Sequence, residues 1–298
     1  MPELRIGLIG LDTSHAPAFA KLLNDEAHPF HVAGAKIHSA FPGGSPDFGL
    51  SWNRVEAFTT QVRDESSVTL LDSPAAVAEQ SDAIILTSVD GRVHLRQFQE
   101  IAPFKKPVFI DKPFAISSVD ATAIAKLAKE HAIPLMSSSI LRYGQPLVDA
   151  LAQGEEILGA DCSGPMDLED TQPGLFWYGI HSVETLYAAL GTGCRSVWAI
   201  STPDAEFVTG LWDDGRIGTV RGYRTGNKKF GALLHGVKES RFVDVMAHPK
   251  PAYAGLLERV VEMFQTGQAP IPIEETLEIV RFIEAANQSR ESGESVML

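Results

Sequence analysis

The sequence predicts an α/β fold: a doubly wound Rossmann-type parallel sheet in residues 1–140, then an α+β domain with an open, mostly antiparallel sheet in residues 141–298. Three observations carry this. Short apolar runs alternate with helical patterns through the first part of the chain, as in βαβ units whose strands are buried on both faces. The first run, Leu4 to Gly10, ends in glycine and passes through a tight turn into a helix, the opening of a mononucleotide-binding unit. Beyond about Leu141 the pattern changes to alternating stretches, the mark of strands with one solvent face.

The elements follow in order. After the strand Leu4 to Gly10, Leu11-Asp12-Thr13-Ser14-His15 makes the turn and Ala16 to Leu23 the first helix. His31 to Phe41 reads as the second strand, closed by the loop Pro42-Gly43-Gly44-Ser45-Pro46-Asp47. Val55 to Val62 is helical, Val68 to Leu71 a short strand, and Ser73-Pro74 caps a helix that runs to Glu79. Asp82 to Ser88 is another buried strand, and Val89 to His94 leads into a helix ending near Ile101. Pro107 to Asp111 is a strand, Ser117 to His131 a helix, and Pro134 to Ser139 a strand. Residues 145–153 form a linking helix and Tyr178 to Leu190 a second one. Stretches between Val197 and Met246 make the antiparallel sheet, with Asp214-Gly215 at a hairpin turn. Helices from Tyr253 to Gln265 and from Ile273 to about Ser289 close the chain. With helices on one side only, that sheet must offer its other face to solvent or a partner, and a homo-oligomer through the open sheet is expected.

At 298 residues the chain can build two cores. Its net charge of -13 and pI near 5.1, with no Lys/Arg run, argue against nucleic acid or an anionic membrane as partner. Cys162 and Cys194 lack metal-type spacing and fit a reducing compartment, so no metal site is expected. The chain enters a strand without a secretory leader, and no segment is apolar enough to span a bilayer. A cytoplasmic protein with a small-molecule ligand is the expectation.

Chemistry concentrates where the strand from Pro107 stops, at Asp111-Lys112-Pro113. Ligands of open parallel sheets bind outside the carboxyl ends of the strands, so Lys112 points into the crevice. Pro113 removes a backbone donor, biases Lys112 away from the helical region and makes a cis bond affordable. The lysine can then set its ammonium against a hydroxyl, carboxylate or phosphate. A solvated loop lysine is the plain alternative.

Four features together resemble the glucose–fructose oxidoreductase / inositol dehydrogenase (Gfo/Idh/MocA) family. They are the opening strand-Gly-helix, Asp111-Lys112-Pro113 in place of the family's Glu-Lys-Pro, Gly179-Ile180-His181-Ser182-Val183-Glu184 in place of its Gly-x-His-x-x-Asp, and the closing segment Pro272 to Gly293 with Ala285-Ala286-Asn287-Gln288-Ser289. The resemblance implies a Rossmann domain binding NAD or NADP and hydride transfer on a sugar-like or polyol substrate, with Lys112 and His181 at the inter-domain cleft. The lysine would stabilise developing charge on oxygen and the histidine would act as acid/base. The other reading of His181 is a structural histidine paired with Glu184, three residues on. The cofactor would lie over Gly10, Thr13 and Ser14, with Asp12, His15, Ser88 and Asp111 beside it.

The sequence departs from the family in three places. Asp12 and His15 stand where the second and third fingerprint glycines belong, and a carboxylate at the second would repel a pyrophosphate unless Asp12 merely caps the first helix. No acid ends the second strand, which favours NADP, and the Gly43-Gly44 loop there either cradles phosphate or is a surface turn. Trp177 replaces an acid four residues before His181, within an aromatic run that forms either a stacking platform or core. Tyr178 is a candidate for the missing hydroxyl. Asp90, Arg92 and His94 past the fourth strand are substrate-binding candidates, as are Trp177, Glu184 and Arg142, although Arg142 could equally form a salt bridge between domains. Two rival functions stay open: a non-redox ligand-binding or sensing protein on a dehydrogenase scaffold, and lyase or epimerase chemistry with tightly held NAD.

Overall fold

In the computed structural model, which describes residues 3–298, the strands are β1 (Leu4–Ile9), β2 (Ala35–Phe41), β3 (Thr69–Leu70), β4 (Ala83–Leu86), β5 (Val108–Asp111), β6 (Leu135–Ser138), β7 (Ile157–Pro165), β8 (Cys194–Ser201), β9 (Ala205–Trp212), β10 (Ile217–Tyr223), β11 (Gly231–Gly236), β12 (Ser240–Asp244) and β13 (Val296–Met297). The helices are α1 (His15–Asn24), α2 (Gly49–Ser66), α3 (Pro74–Gln80), α4 (His94–Ile101), α5 (Ser118–Glu130), α6 (Gln145–Leu151), α7 (Gly179–Leu190), α8 (Ala252–Thr266) and α9 (Ile273–Ser292). The chain divides into two units. One takes the described chain up to Ala115, Val119–Ser138 and Tyr253–Ile273; the other takes Ile116–Ser118, Ser139–Ala252 and Glu274–Leu298. Instead of one division after residue 140, nearly all of α8 counts with the first unit. Aromatic packing accounts for this: the Tyr253 ring lies edge-on to those of His15 and Phe19, at centroid distances of 5.0 and 5.8 Å.

In the first unit six parallel strands run in the order β3-β2-β1-β4-β5-β6, that of a doubly wound dinucleotide-type sheet. Its central strands are apolar on both faces because helices cover both; Ile6, Leu8, Ile9, Ile84, Ile85, Phe109 and Ile110 are wholly buried. Ser73 caps α3 as expected, its hydroxyl accepting from the Ala76 amide at 3.1 Å, with Pro74 in the first turn. Two boundaries moved. Gly34, at φ +97°, ends a turn, so β2 begins at Ala35 and not at His31. Helix α2 extends over Gly49–Ser66, far beyond Val55 to Val62, yet only Ser51 and Val62 on it are buried, so no apolar stripe marked its extent.

The second unit holds a seven-stranded sheet in the order β12-β11-β7-β10-β9-β8-β13. Every pairing is antiparallel except β7 with β10. The sequence reading did not contain β7, a central strand. Gly159, Asp161, Gly164 and Pro165 give it poor strand propensity; its conformation is imposed by ladders on both edges. The two-residue β13 was missed as well. Helix α7 packs on β7 and β10. The sheet's other face is open and carries Trp198, Ile200, Leu211, Ile217 and Phe242, the last 70% exposed. Between these lie Asp161, Thr219 and His235, the imidazole 2.8 Å from the Asp161 carboxylate.

Both cysteines are free and buried, and burial pushes their thiols up, Cys194 to about 12, which leaves neither as a nucleophile. Among the described residues there is no cluster suited to a metal ion, and no helix is long and apolar enough to cross a membrane.

Candidate functional site

The first unit's candidates gather at the carboxyl end of the parallel sheet. Strand β1 ends in Gly10 at φ +91°, where a Cβ would come within 2.3 Å of the Ser88 amide nitrogen. Only glycine allows β1 and the segment after β4 to approach so closely. Gly10→Ala is therefore expected to cost at least ~1–3 kcal/mol from the backbone conformation alone, read as a lowered melting temperature without any ligand.

Asp12 is turned into the protein interior. It is 1% exposed; Oδ2 accepts from the Ser51 hydroxyl at 2.6 Å and Oδ1 from the Val89 amide at 3.0 Å. Burial raises its pKa, opposed by these two bonds. The carboxylate thus ties the turn to α2 and to the segment after β4, and the expected repulsion of a pyrophosphate loses its basis. Asp12 does not cap α1 either; the N-cap is Ser14, without a side-chain cap bond. What the turn retains is the Thr13 and Ser14 hydroxyls and the N-terminus of α1, with no acid in its first turn. Those are donors of the kind a diphosphate needs. The residues fit a dinucleotide in that respect, by a turn built differently from a three-glycine fingerprint.

His15 and Asp111 come together, with Nδ1 2.7 Å from Oδ2 in an ion-pair contact. The aligned geometry of a hydrogen bond is not reached there, and Asp111 Oδ1 is buried without a hydrogen-bond partner, as is the Ser88 hydroxyl. Lys112 follows directly, 8% exposed and joined to Pro113 by a cis peptide bond. Burial lowers its pKa, while Asp111 pulls it upward.

The neighbouring candidates are occupied with one another. Arg92 places its guanidinium on both Asp90 and Asp47, with contacts of 2.8 Å to each, which fastens the glycine-rich loop to the segment after β4. That loop also lies along the end of β1, the Gly10 and Leu11 amides donating to Phe41 and Pro42 carbonyls. His94 is fully buried, its ring nitrogens 3.2 Å from the Phe114 carbonyl oxygen and 2.8 Å from that of Ser88. It braces the backbone and is out of a substrate's reach.

In the second unit the candidates form a tighter cluster. His181 stands in the first turn of α7, 7% exposed, with Nδ1 2.7 Å from the Ser139 hydroxyl. Tyr178 and Phe230 close on it edge-on, at centroid distances of 5.4 and 5.6 Å. Gly164 makes room for Phe230: a Cβ there would lie 2.3 Å from the phenyl ring. Glu184 is bound to Arg142 at 3.0 Å, and Arg142 reaches Glu275 as well, at 2.5 Å. So Arg142 makes its pairs within its own unit, and Glu184 partners the arginine while His181 partners a serine. Trp177 is buried, which is the core reading of that aromatic run. Sequence reasoning missed Ser139, Phe230, Gly164 and Glu275. A signal existed for the first, the triple serine Ser137-Ser138-Ser139 at the carboxyl end of β6.

No family model matches the sequence, and no curated protein sequence matches it. Solved structures do. A scyllo-inositol dehydrogenase from Lactobacillus casei without ligand superposes with a TM-score of 0.81 at 15% identity, over 99% of this chain and 98% of that one. The fold is that of the Gfo/Idh/MocA oxidoreductases. Two further structures of this fold superpose over nearly the full length. One is a myo-inositol dehydrogenase from Lactobacillus casei in complex with NAD(H) and myo-inositol, with TM-score 0.77 and 13% identity over 100% of this chain and 97% of that one. The other is an oxidoreductase from Agrobacterium radiobacter in complex with NAD+, L-tartaric acid and magnesium, with TM-score 0.75 and 18% identity over 99% and 98%. At these identities the likeness to Gfo/Idh/MocA proteins is one of fold.

Proposed function

We propose that this protein is an NAD(P)-dependent oxidoreductase acting on a sugar or polyol derivative, with Lys112 and His181 as its catalytic side chains. The reading is carried by a buried lysine of lowered pKa at the end of β5, in a sheet whose first turn presents donors and no outward acid. NAD(P), when bound, supplies the acceptor for hydride. Gly10, Thr13, Ser14 and the α1 N-terminus would hold its pyrophosphate, and Asp12 braces the turn from inside. Lys112 and His181 divide two tasks between them, taking the hydroxyl proton and donating a hydrogen bond to the oxygen. Similarity in fold to proteins solved with NAD and with myo-inositol or tartrate supports a small hydroxylated substrate. The lack of an acid at the end of β2 favours NADP over NAD. The test is titration calorimetry with NAD and NADP at millimolar concentration, followed by nicotinamide absorbance with a panel of polyols. Binding of neither dinucleotide removes this reading.

A second reading, a non-redox ligand-binding protein on the same scaffold, is favoured by Trp177, a buried ring where family dehydrogenases place an acid. Steady nicotinamide reduction with any polyol, lost in Lys112→Ala, eliminates it.

The open face of the seven-stranded sheet is assigned to a second copy of the chain, through an isologous pairing. Apolar side chains at the strength of Trp198, Ile217 and Phe242 rarely stay in water on a monomer. The double variant Ile217→Asp/Phe242→Asp is expected to sediment as a monomer where the parent sediments as a dimer. A parent that is monomeric at micromolar concentration removes the assignment.

A further inference from the structure

The cluster around His181 contains a group with no assigned role. Ser139 is fully buried, and its hydroxyl lies 2.7 Å from His181 Nδ1. The Leu141 amide donates to the same oxygen at 3.2 Å. Its own amide donates to the Glu184 carboxylate, which the Arg142 guanidinium holds in place. Since Glu184 follows His181 by three residues on α7, one helix face grips Ser139 at both its amide and its hydroxyl. The serine is thereby held on a buried ion cluster, and the imidazole is held on the serine.

The direction of the hydrogen bond between serine and histidine follows from counting protons. A hydroxyl has one proton to give, and here its oxygen already receives the Leu141 amide. Giving that proton to Nδ1 satisfies both partners.

We propose that Ser139 is a positioning residue that fixes neutral His181 in the tautomer with its proton on Nε2, so that the ring meets a substrate oxygen as a hydrogen-bond donor. This deepens the oxidoreductase reading and rests on it for the meaning of "substrate". NAD(P), when bound, would supply the acceptor for hydride; the hydroxyl proton would pass to the unprotonated form of Lys112, and His181 would donate its Nε2 proton as a hydrogen bond to the oxygen without changing its own proton count. Mis-set tautomers are known to be costly in histidine catalysis.

The decisive measurement is imidazole nitrogen NMR on the full-length, nitrogen-15-labelled protein at a pH where the ring is neutral, with His181 assigned by the signal lost in His181→Gln. The expected result is a protonated Nε2 and an acceptor Nδ1 in the parent, and a mixture of tautomers in Ser139→Ala. A protonated Nδ1 in the parent, or an unchanged tautomer in Ser139→Ala, overturns the proposal whatever the activity. In kinetics, Ser139→Ala is expected to lose about tenfold or more in kcat with little change in KM, and Ser139→Thr, which keeps the hydroxyl, to recover most of it. If Ser139→Ala does not fold, the parent's tautomer and the threonine variant still decide. The expected tautomer without any nicotinamide reduction leaves the role of Ser139 toward His181 supported and removes the oxidoreductase reading instead.

Discussion

Lys112→Met is expected to melt at a higher temperature than its parent at pH 7 and to turn over roughly a hundredfold or more slowly. Both effects come from one buried amine. Burial lowers the Lys112 pKa below its ordinary 10.5, with Asp111 opposing. Between the lowered value and 10.5 the unfolded chain binds more protons than the folded one, so stability rises with pH across that window. Below the window the native state bears the full cost of the buried charge, and methionine, of similar length, relieves it. Asp111 is not stranded by the change, because His15 remains 2.7 Å away. Melting curves at pH 7 and pH 10 should therefore show the advantage of the variant shrinking at the higher pH. A variant that melts lower than the parent at pH 7 defeats the burial argument, and one with undiminished kcat defeats the catalytic role.

The second large effect is expected at Arg142, whose guanidinium serves Glu184 and Glu275 in a buried cluster. Arg142→Met should destabilise the protein by about 3–5 kcal/mol, because it leaves two carboxylates in the interior without their counter-charge. Replacing all three residues by apolar ones would cost far less, since the penalty lies in the uncompensated charge. A pH signature follows. Burial already pushes the Glu184 carboxyl up, and without Arg142 the upward push is unopposed by its strongest partner. The folded variant then binds more protons than its unfolded chain above the ordinary carboxyl range, so its stability falls as pH rises. Urea unfolding at pH 5 and pH 8 should find the larger deficit at pH 8. A loss under about 1 kcal/mol at both would mean that water reaches the cluster and screens it.

Much of this architecture could be read from local pattern. The parallel strands announced themselves because burial on both faces forces runs such as those ending at Leu86 and Asp111, with turns and helices between them. Asp111-Lys112-Pro113 marked a strand end with chemistry on it, and Gly10 marked a tight turn, where the backbone is indeed left-handed. Other elements left no trace of that kind. Strand β7 is made of small and polar residues after Leu158 and exists because β10 and β11 pair with it. Most of α2 is exposed, so its extent was invisible to a reading that follows apolar periodicity.

At the candidate site the division is sharper. Residue types and strand ends, set by local chemistry, singled out Lys112 and the turn after β1 as candidates, and the family resemblance singled out His181. Partner choice was not legible in them: Asp12 turned inward to Ser51 and Val89, Glu184 went to Arg142, and His181 went to Ser139. Each of those contacts joins positions far apart in the chain. A hydrogen bond forms only between atoms about 3 Å apart, and that proximity is a property of packing, which no spacing along the sequence encodes.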